Sequence, residues 1–313
     1  MSWAAAFRRR FRHHPAAVGL RALRRAGWRG LVADAPLARR ILATRPVRTD
    51  GPAGAPAEVH LLCHRHDHLL AIWALKTFYH FSGAPLPLAI HLQGRVPPHV
   101  VERLRAHFPT ARIIPQAEAD ARVRAELEAR GLARLLAARG GNPLLLKVTD
   151  FIVLGRAARV LGVDSDVLFF APPAELLAGA AATGSLFQRD LATRYTVSPA
   201  DARARLGVEP APCVNTGLMA FTRDPADLAR CDRYLAHAGL AEPSGLLEQT
   251  LHALCASARG AVAHLPPSYR ISLEPGGDYA ALVARHYAGP SRRLAGEGMR
   301  WLERRGALRA MGA

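Results

Sequence analysis

The residues best able to do chemistry stand in the middle of the chain. Asp164 and Asp166 flank Ser165, directly after the apolar run 160–163 and before a second one, 167–170. Two carboxylates this close, leaving a buried strand, repel one another and lose hydration unless a positive partner compensates. A hard divalent cation is such a partner. It takes oxygen ligands and keeps positions open for phosphate oxygens, and it can neutralise charge building on a diphosphate leaving group. A pair of turn aspartates capping the next element is the plainer alternative, since Asp-Ser-Asp recurs by chance.

The elements that must hold this pair follow from the hydrophobic pattern. Short apolar runs at 59–63, 86–92, 111–114 and 160–163 read as strands. Leu69, Ile72, Trp73, Lys76 and His80 fall near helical spacing over 69–81, and Val100, Val101, Leu104 and Phe108 mark a second helix. Asn142-Pro143 reads as a cap and first position opening a helix that runs to about Ala158. Strands alternating with helices through short turns predict an α/β fold with a largely parallel sheet and helices on both faces. Ligands of such sheets collect at the carboxyl ends of the strands.

Charge separates the first fifty residues from the rest. The 313-residue chain has 42 Lys and Arg against 25 Asp and Glu, a formal net of +17, yet only Lys76 and Lys147 are lysines. That ratio, with abundant Ala, Gly and Pro, reads as base-composition bias rather than selection for guanidinium chemistry. Residues 1–50 hold 12 of the arginines against Asp34 and Asp50. Trp3, Phe7 and Phe11 share one helical face there, ringed by Arg8, Arg9, Arg10 and Arg12, and a second helical stretch covers 18–32. This suits an anionic membrane surface, or equally a helix packed on its own domain. Residues 49–56 have linker composition. The expected division is a basic helical extension with linker over 1–56 and one α/β domain over 57–313. No apolar run reaches the roughly 18–20 residues a membrane span requires. Cys63, Cys213, Cys231 and Cys255 are scattered, which argues against a disulfide framework. A cytoplasmic protein, peripheral at the inner membrane face, is the expected setting.

Further segments join the acidic pair in a resemblance. Lys147 and Asp150 precede it at i and i+3. Residues 184–190 end in Asp190, residues 213–221 carry Asn215-Thr216-Gly217, and Glu248-Gln249 follows. Near the end, His286 and Gly289 lead to Arg292 in a His-x-x-Gly-x-x-Arg pattern. In order and approximate spacing over 58–293, the sequence resembles GT-A-fold glycosyltransferases, most closely glycosyltransferase family 8. The resemblance implies a hexosyltransferase-type enzyme with a Rossmann-like GT-A domain. It implies Asp164, Asp166 and His286 as ligands of Mn²⁺ or Mg²⁺, and a nucleotide-sugar donor, most simply a UDP-sugar. Arg65, Lys147, Ser165, Asn215, Thr216, Gly289 and Arg292 would contact the donor. Asp190, Glu248 and Gln249 would hold the sugar at the reacting centre. Glu248 stands where the family has Asp, and Arg292 where it has Lys; guanidinium binds phosphate as a fork rather than a point charge. Transfer with retention is implied; inversion would need a base, for which Glu248 and Asp190 are candidates. The acceptor is a hydroxyl of a glycan, lipid or small molecule.

Other readings compete. Cys63 to His68 contains three histidines in alternation, but the turn after a first strand fits nucleotide contact better than zinc, and Asp67 is expected to cap the next helix. His91, His107, His237 and His252 are expected at the surface or satisfied. Asp164 and Asp166 also fit the nucleophile and acid of a haloacid-dehalogenase-like phosphatase, with Thr183 or Ser185 as its second motif, although both lysines precede the pair. Nucleic acid is not an expected partner: charge favours it, but 6% aromatic residues offer little stacking surface.

Overall fold

The computed structural model describes residues 35–52, 54–241 and 244–312. The extension predicted to hold two basic helices lies mostly outside the described residues. Strands β1 (Ala57–His64), β2 (Leu88–Gln93), β3 (Arg112–Ile114), β4 (Arg159–Val163), β6 (Ser185–Arg189), β7 (Val214–Thr222) and β8 (Val262–His264) form one seven-stranded sheet in the order β3-β2-β1-β4-β7-β6-β8. Only β7 runs against its neighbours. The fold is therefore a mixed α/β, Rossmann-like arrangement around the mostly parallel sheet that the alternation predicts.

A second sheet lies outside that expectation. In it β5 (Val167–Phe169), β9 (Tyr269–Ile271) and β10 (Ala284–His286) pair in the order β5-β10-β9. Three-residue strands give too little periodicity to read, and their pairing joins segments about a hundred positions apart.

Helices cover both faces. Between β1 and β4 lie α1 (His68–Ser82), α2 (Pro98–His107), α3 (Gln116–Ala129), α4 (Ala133–Gly141) and α5 (Leu146–Leu154). After β4 come α6 (Ala174–Ala181), α7 (Pro199–Leu206), α8 (Ala226–Tyr234), α9 (Ala238–Ala241), α10 (Leu247–Arg259), α11 (Ala295–Arg304) and α12 (Ala307–Ala310). The strands alternate as a two-faced sheet requires. Val59, Leu61 and Cys63 of β1 enter one core with α1 and α11, while Leu62 enters the other with α5 and α10.

The helix opened by Asn142-Pro143 differs from expectation. Asn142 caps a 3₁₀ turn, accepting from Leu144 N at 3.1 Å, and α5 ends at Leu154 rather than Ala158. Arg156 N donates instead to the buried Glu58 carboxylate at 2.7 Å, and Gly155 packs against Arg223. Upstream of β1, residues 35–42 are helical, and Leu37 and Ile41 are buried in the same core as α1. Val47 N bonds to His107 O at 2.8 Å, and Thr49 N to Thr110 Oγ1 at 2.7 Å. Among the described residues, no helix is long and apolar enough to cross a membrane.

Candidate functional site

The reversed strand gathers the site. Because β7 is antiparallel to β4, its first residues lie beside the exit of β4, and Asp164 N bonds to Gly217 O at 2.8 Å. The same edge receives the end of β6, with Gln188 and Asp190. The small sheet brings the last part: His286 of β10 stands opposite Val167 of β5, and Tyr287 N bonds to Asp166 O at 2.8 Å. A histidine far downstream is thereby fixed against the acidic pair by backbone register.

Ligating atoms of Asp164, Asp166 and His286 lie within 4.8 Å of one another, and no other such cluster occurs among the described residues. His286 Nε2 is 3.2 Å from Asp166 Oδ1 and 3.9 Å from Asp164 Oδ2. Its other nitrogen, Nδ1, lies 3.1 Å from both Gln188 Oε1 and Asn215 Oδ1. Each of those amides is oriented by a separate bond. Gln188 Nε2 donates to Tyr269 O at 3.2 Å, while Asn215 Nδ2 donates to Asp190 Oδ2 at 3.2 Å and Asn215 Oδ1 accepts from Gly217 N at 2.9 Å. Two oxygens therefore face Nδ1, so it carries the proton, and Nε2 is the nitrogen left to bind a cation. Asp166 Oδ1 is buried and has no hydrogen-bond partner other than a protonated His286 Nε2. An imidazole lone pair and a carboxylate oxygen at 3.2 Å repel unless a positive charge lies between them, either a second ring proton or a metal ion. These residues fit a divalent cation: two carboxylates and a correctly poised imidazole suit Mn²⁺ or Mg²⁺.

The surrounding charges are arranged for the same end. Lys147, buried on α5, sits 2.9 Å from Asp164 Oδ1 and 3.7 Å from Glu248 Oε1, and donates to Thr216 O at 3.0 Å. Burial disfavours its ammonium, but Asp164 and Glu248 more than compensate, so its pKa is raised. Glu248, also buried, accepts from Thr216 Oγ1 at 2.8 Å; burial raises its pKa despite Lys147. Burial would likewise raise Asp166, yet the positive charges of His286 and Arg292 hold its carboxyl far below the usual range. For His286, burial opposes the imidazolium and Asp166 outweighs it, so the pKa is raised.

Gly217 has a steric reason. A Cβ there would stand 2.3 Å from the His286 ring, so only glycine lets that ring approach β7. Gly289, with φ of 55°, turns the chain from β10 into the 3₁₀ segment carrying Arg292. Arg292 Nε donates to Asp166 Oδ2 at 2.5 Å, and its Nη1 donates to Asp67 Oδ1 at 3.3 Å.

The predicted residues fall into a core and a rim. Asp164, Asp166, His286, Lys147, Asn215, Thr216 and Glu248 form one contact network. Gln249 joins it through Asn215 at 3.4 Å and Asp190 at 3.4 Å. Ser165 is buried between the two acids. Arg65 is exposed in the turn after β1, bonded to His66 Nε2 at 3.0 Å; two residues further on, Asp67 bonds Arg292 of the site. Asp67 makes no side-chain cap on α1; its carboxylate is taken by Arg292, correcting the expected capping role. His91, His107 and His252 are buried rather than superficial, and each keeps one ring nitrogen without a hydrogen-bond partner. Ser185 and Thr183 lie at the opposite end of the sheet, where Arg159 bonds to Gly184 O at 2.8 Å, too far along β6 to serve Asp164 as a phosphatase motif. Gln188 was not singled out by sequence. A glutamine inside an apolar strand, two residues before an acid of the site, is the only signal that marks it.

No protein-family model and no curated protein matches the sequence. Among solved structures, the chain is similar to the galactosyltransferase LgtC in complex with donor and acceptor sugar analogues, with a TM-score of 0.49 and 13% identity over 78% of this chain and 94% of that one. It is similar to mouse xyloside xylosyltransferase 1, with a TM-score of 0.47 and 12% identity over 77% of this chain and 98% of that one. It is also similar to the bifunctional glycosyltransferase WbbM, with a TM-score of 0.47 and 16% identity over 76% of this chain; there it spans about half, 47%, of the other's length.

Proposed function

We propose that this protein is a metal-dependent GT-A-type glycosyltransferase, moving a sugar from a nucleotide diphosphate, most simply UDP, to a hydroxyl acceptor. The observation that carries the reading is the convergence of Asp164, Asp166 and an Nε2-exposing His286 at the carboxyl edge of the sheet. These three would hold Mn²⁺ or Mg²⁺, which when bound supplies positive charge to a departing diphosphate.

The chain's own groups do the rest. Gln188 and Asn215 fix the His286 ring. Lys147 pairs with both Asp164 and Glu248 and offsets their negative charge. Arg292, 43% exposed and carried on the turn after Gly289, is the guanidinium free to transfer from Asp166 to a phosphate oxygen. Ser165 and Gly289 border the diphosphate path, and Arg65 the nucleoside. Asp190, Asn215, Thr216, Glu248 and Gln249 present acceptors and donors suited to sugar hydroxyls. The acceptor oxygen joins the anomeric carbon as the bond to diphosphate breaks, and the hydroxyl proton leaves with the diphosphate. We infer retention, which needs no enzyme base: Glu248 is sealed by Thr216 and Lys147, and the Asp190 carboxylate is already engaged by Asn215, Gln249 and Leu191 N. Peripheral association through the basic N-terminal segment belongs to the same proposal, as does a division after residue 56, with Leu37, Ile41, Val47 and Thr49 docking the end of that segment on the domain.

A screen of nucleotide-sugars by thermal stabilisation, with and without Mn²⁺, tests this reading. Stabilisation by a nucleotide-sugar that requires Mn²⁺ supports it; release of phosphate from phosphomonoesters with no nucleotide-sugar binding contradicts it.

A further inference from the structure

Beside Asp190 opens a second cavity of about 550 Å³ that the donor reading does not use. It shares one wall with the site: Asp190 bonds Asn215 and Gln249 on one side and lines this cavity on the other. Leu191, Pro267 and Leu282 supply apolar lining. Leu191 is 63% exposed, the most exposed large apolar side chain among the described residues. Such a side chain at a cavity mouth is a poor choice for water and a good one for an apolar ligand. Two arginines complete the lining, Arg189 at the end of β6 and Arg270 in β9. Both are exposed, and neither pairs with a carboxylate among the described residues, whereas most of the chain's other site-facing cations are paired. The two acids of the cavity are engaged elsewhere: Asp278 accepts from Ala280 N at 3.0 Å, and Asp190 from Leu191 N at 2.7 Å.

We propose that this cavity is the acceptor subsite, and that its acceptor is amphipathic and anionic: a hydroxyl compound whose phosphate is held by Arg189 and Arg270 and whose apolar chain lies along Leu191 and Pro267. The proposal rests on the glycosyltransferase reading and names the substrate class of that site. Guanidinium forks match phosphate geometry. The acceptor hydroxyl then approaches past Asp190, toward Asn215 and Gln249, where the sugar is delivered.

The test is calorimetric binding of octyl phosphate, below its micelle-forming concentration, to the full chain with Mn²⁺ and UDP present. Octyl β-glucoside supplies the chain without the charge, and inorganic phosphate the charge without the chain. The expected result is binding of octyl phosphate, with both controls at least tenfold weaker. Arg189→Ala and Arg270→Ala should each weaken it about tenfold, with UDP binding unchanged. Equal binding of octyl β-glucoside, or an undiminished affinity in the double variant, overturns the proposal. UDP bound without any octyl phosphate bound refutes the subsite alone; no UDP bound refutes the underlying reading and the subsite with it.

Discussion

Gln188 Oε1 and His286 Nδ1 face one another at 3.1 Å across two different sheets. One belongs to the end of β6, the other to the short strand β10, and their contact decides which imidazole nitrogen is presented to Asp164 and Asp166. The site is thus built from outside its ligands: Tyr269 O orients Gln188, Asp190 orients Asn215, and the two amides orient the histidine.

Gln188→Leu removes one of the two oxygens while keeping a side chain of similar size. Partners of this kind are worth roughly 10–100-fold in metal affinity. Mn²⁺ titration followed by electron paramagnetic resonance should show a loss in that range with an unchanged circular dichroism spectrum. Unaltered affinity would mean that Gln188 merely fills space.

Lys147 is the buried counterweight of two carboxylates, 2.9 Å from Asp164 and 3.7 Å from Glu248. Breaking a buried pair by removing one partner costs about 3–5 kcal/mol. Lys147→Met should therefore lower stability to urea by that order, and adding Glu248→Gln should recover part of it, because the stranded charge goes. A double variant no better than the single would contradict the pairing.

Glu58, buried at the start of β1, carries a separate prediction. Burial pushes its carboxyl up, but His60, Arg156 N and Arg112 pull it further down, to about 2. Its folded pKa lies below the unfolded value, so its contribution is complete above about pH 4.5 and is lost as pH falls toward 2. The shift corresponds to about 3 kcal/mol. Urea unfolding between pH 5 and 2 should show a shallower acid decline for Glu58→Gln than for the unchanged chain. Parallel declines would remove Glu58 from the account.

Much of this was legible in the chain and some was not, for physical reasons. Strand-helix alternation predicted the first four strands of the main sheet, and β1, β2 and β4 among them are continuous and buried. The acidic pair stood out because two carboxylates at a strand exit demand compensation. Asp67 misled because a local cap competes with a partner 225 positions away, and Arg292 takes the carboxylate. The end of α5 at Leu154 is set by Glu58, on a strand nearly a hundred residues earlier. The buried line of Glu58, His60 and His91, bonded at 3.2 and 2.9 Å, depends on cross-strand register that no single segment contains. Gln188 was hidden in the same way: its meaning lies in what β10 brings to it.

The most direct measurement is calorimetric titration of Mn²⁺ into the chain in the presence of UDP, compared with Asp166→Asn whose folding is checked by circular dichroism. The account predicts one Mn²⁺ per chain and its loss in the variant. A variant that folds and binds Mn²⁺ with the same stoichiometry and affinity would contradict it.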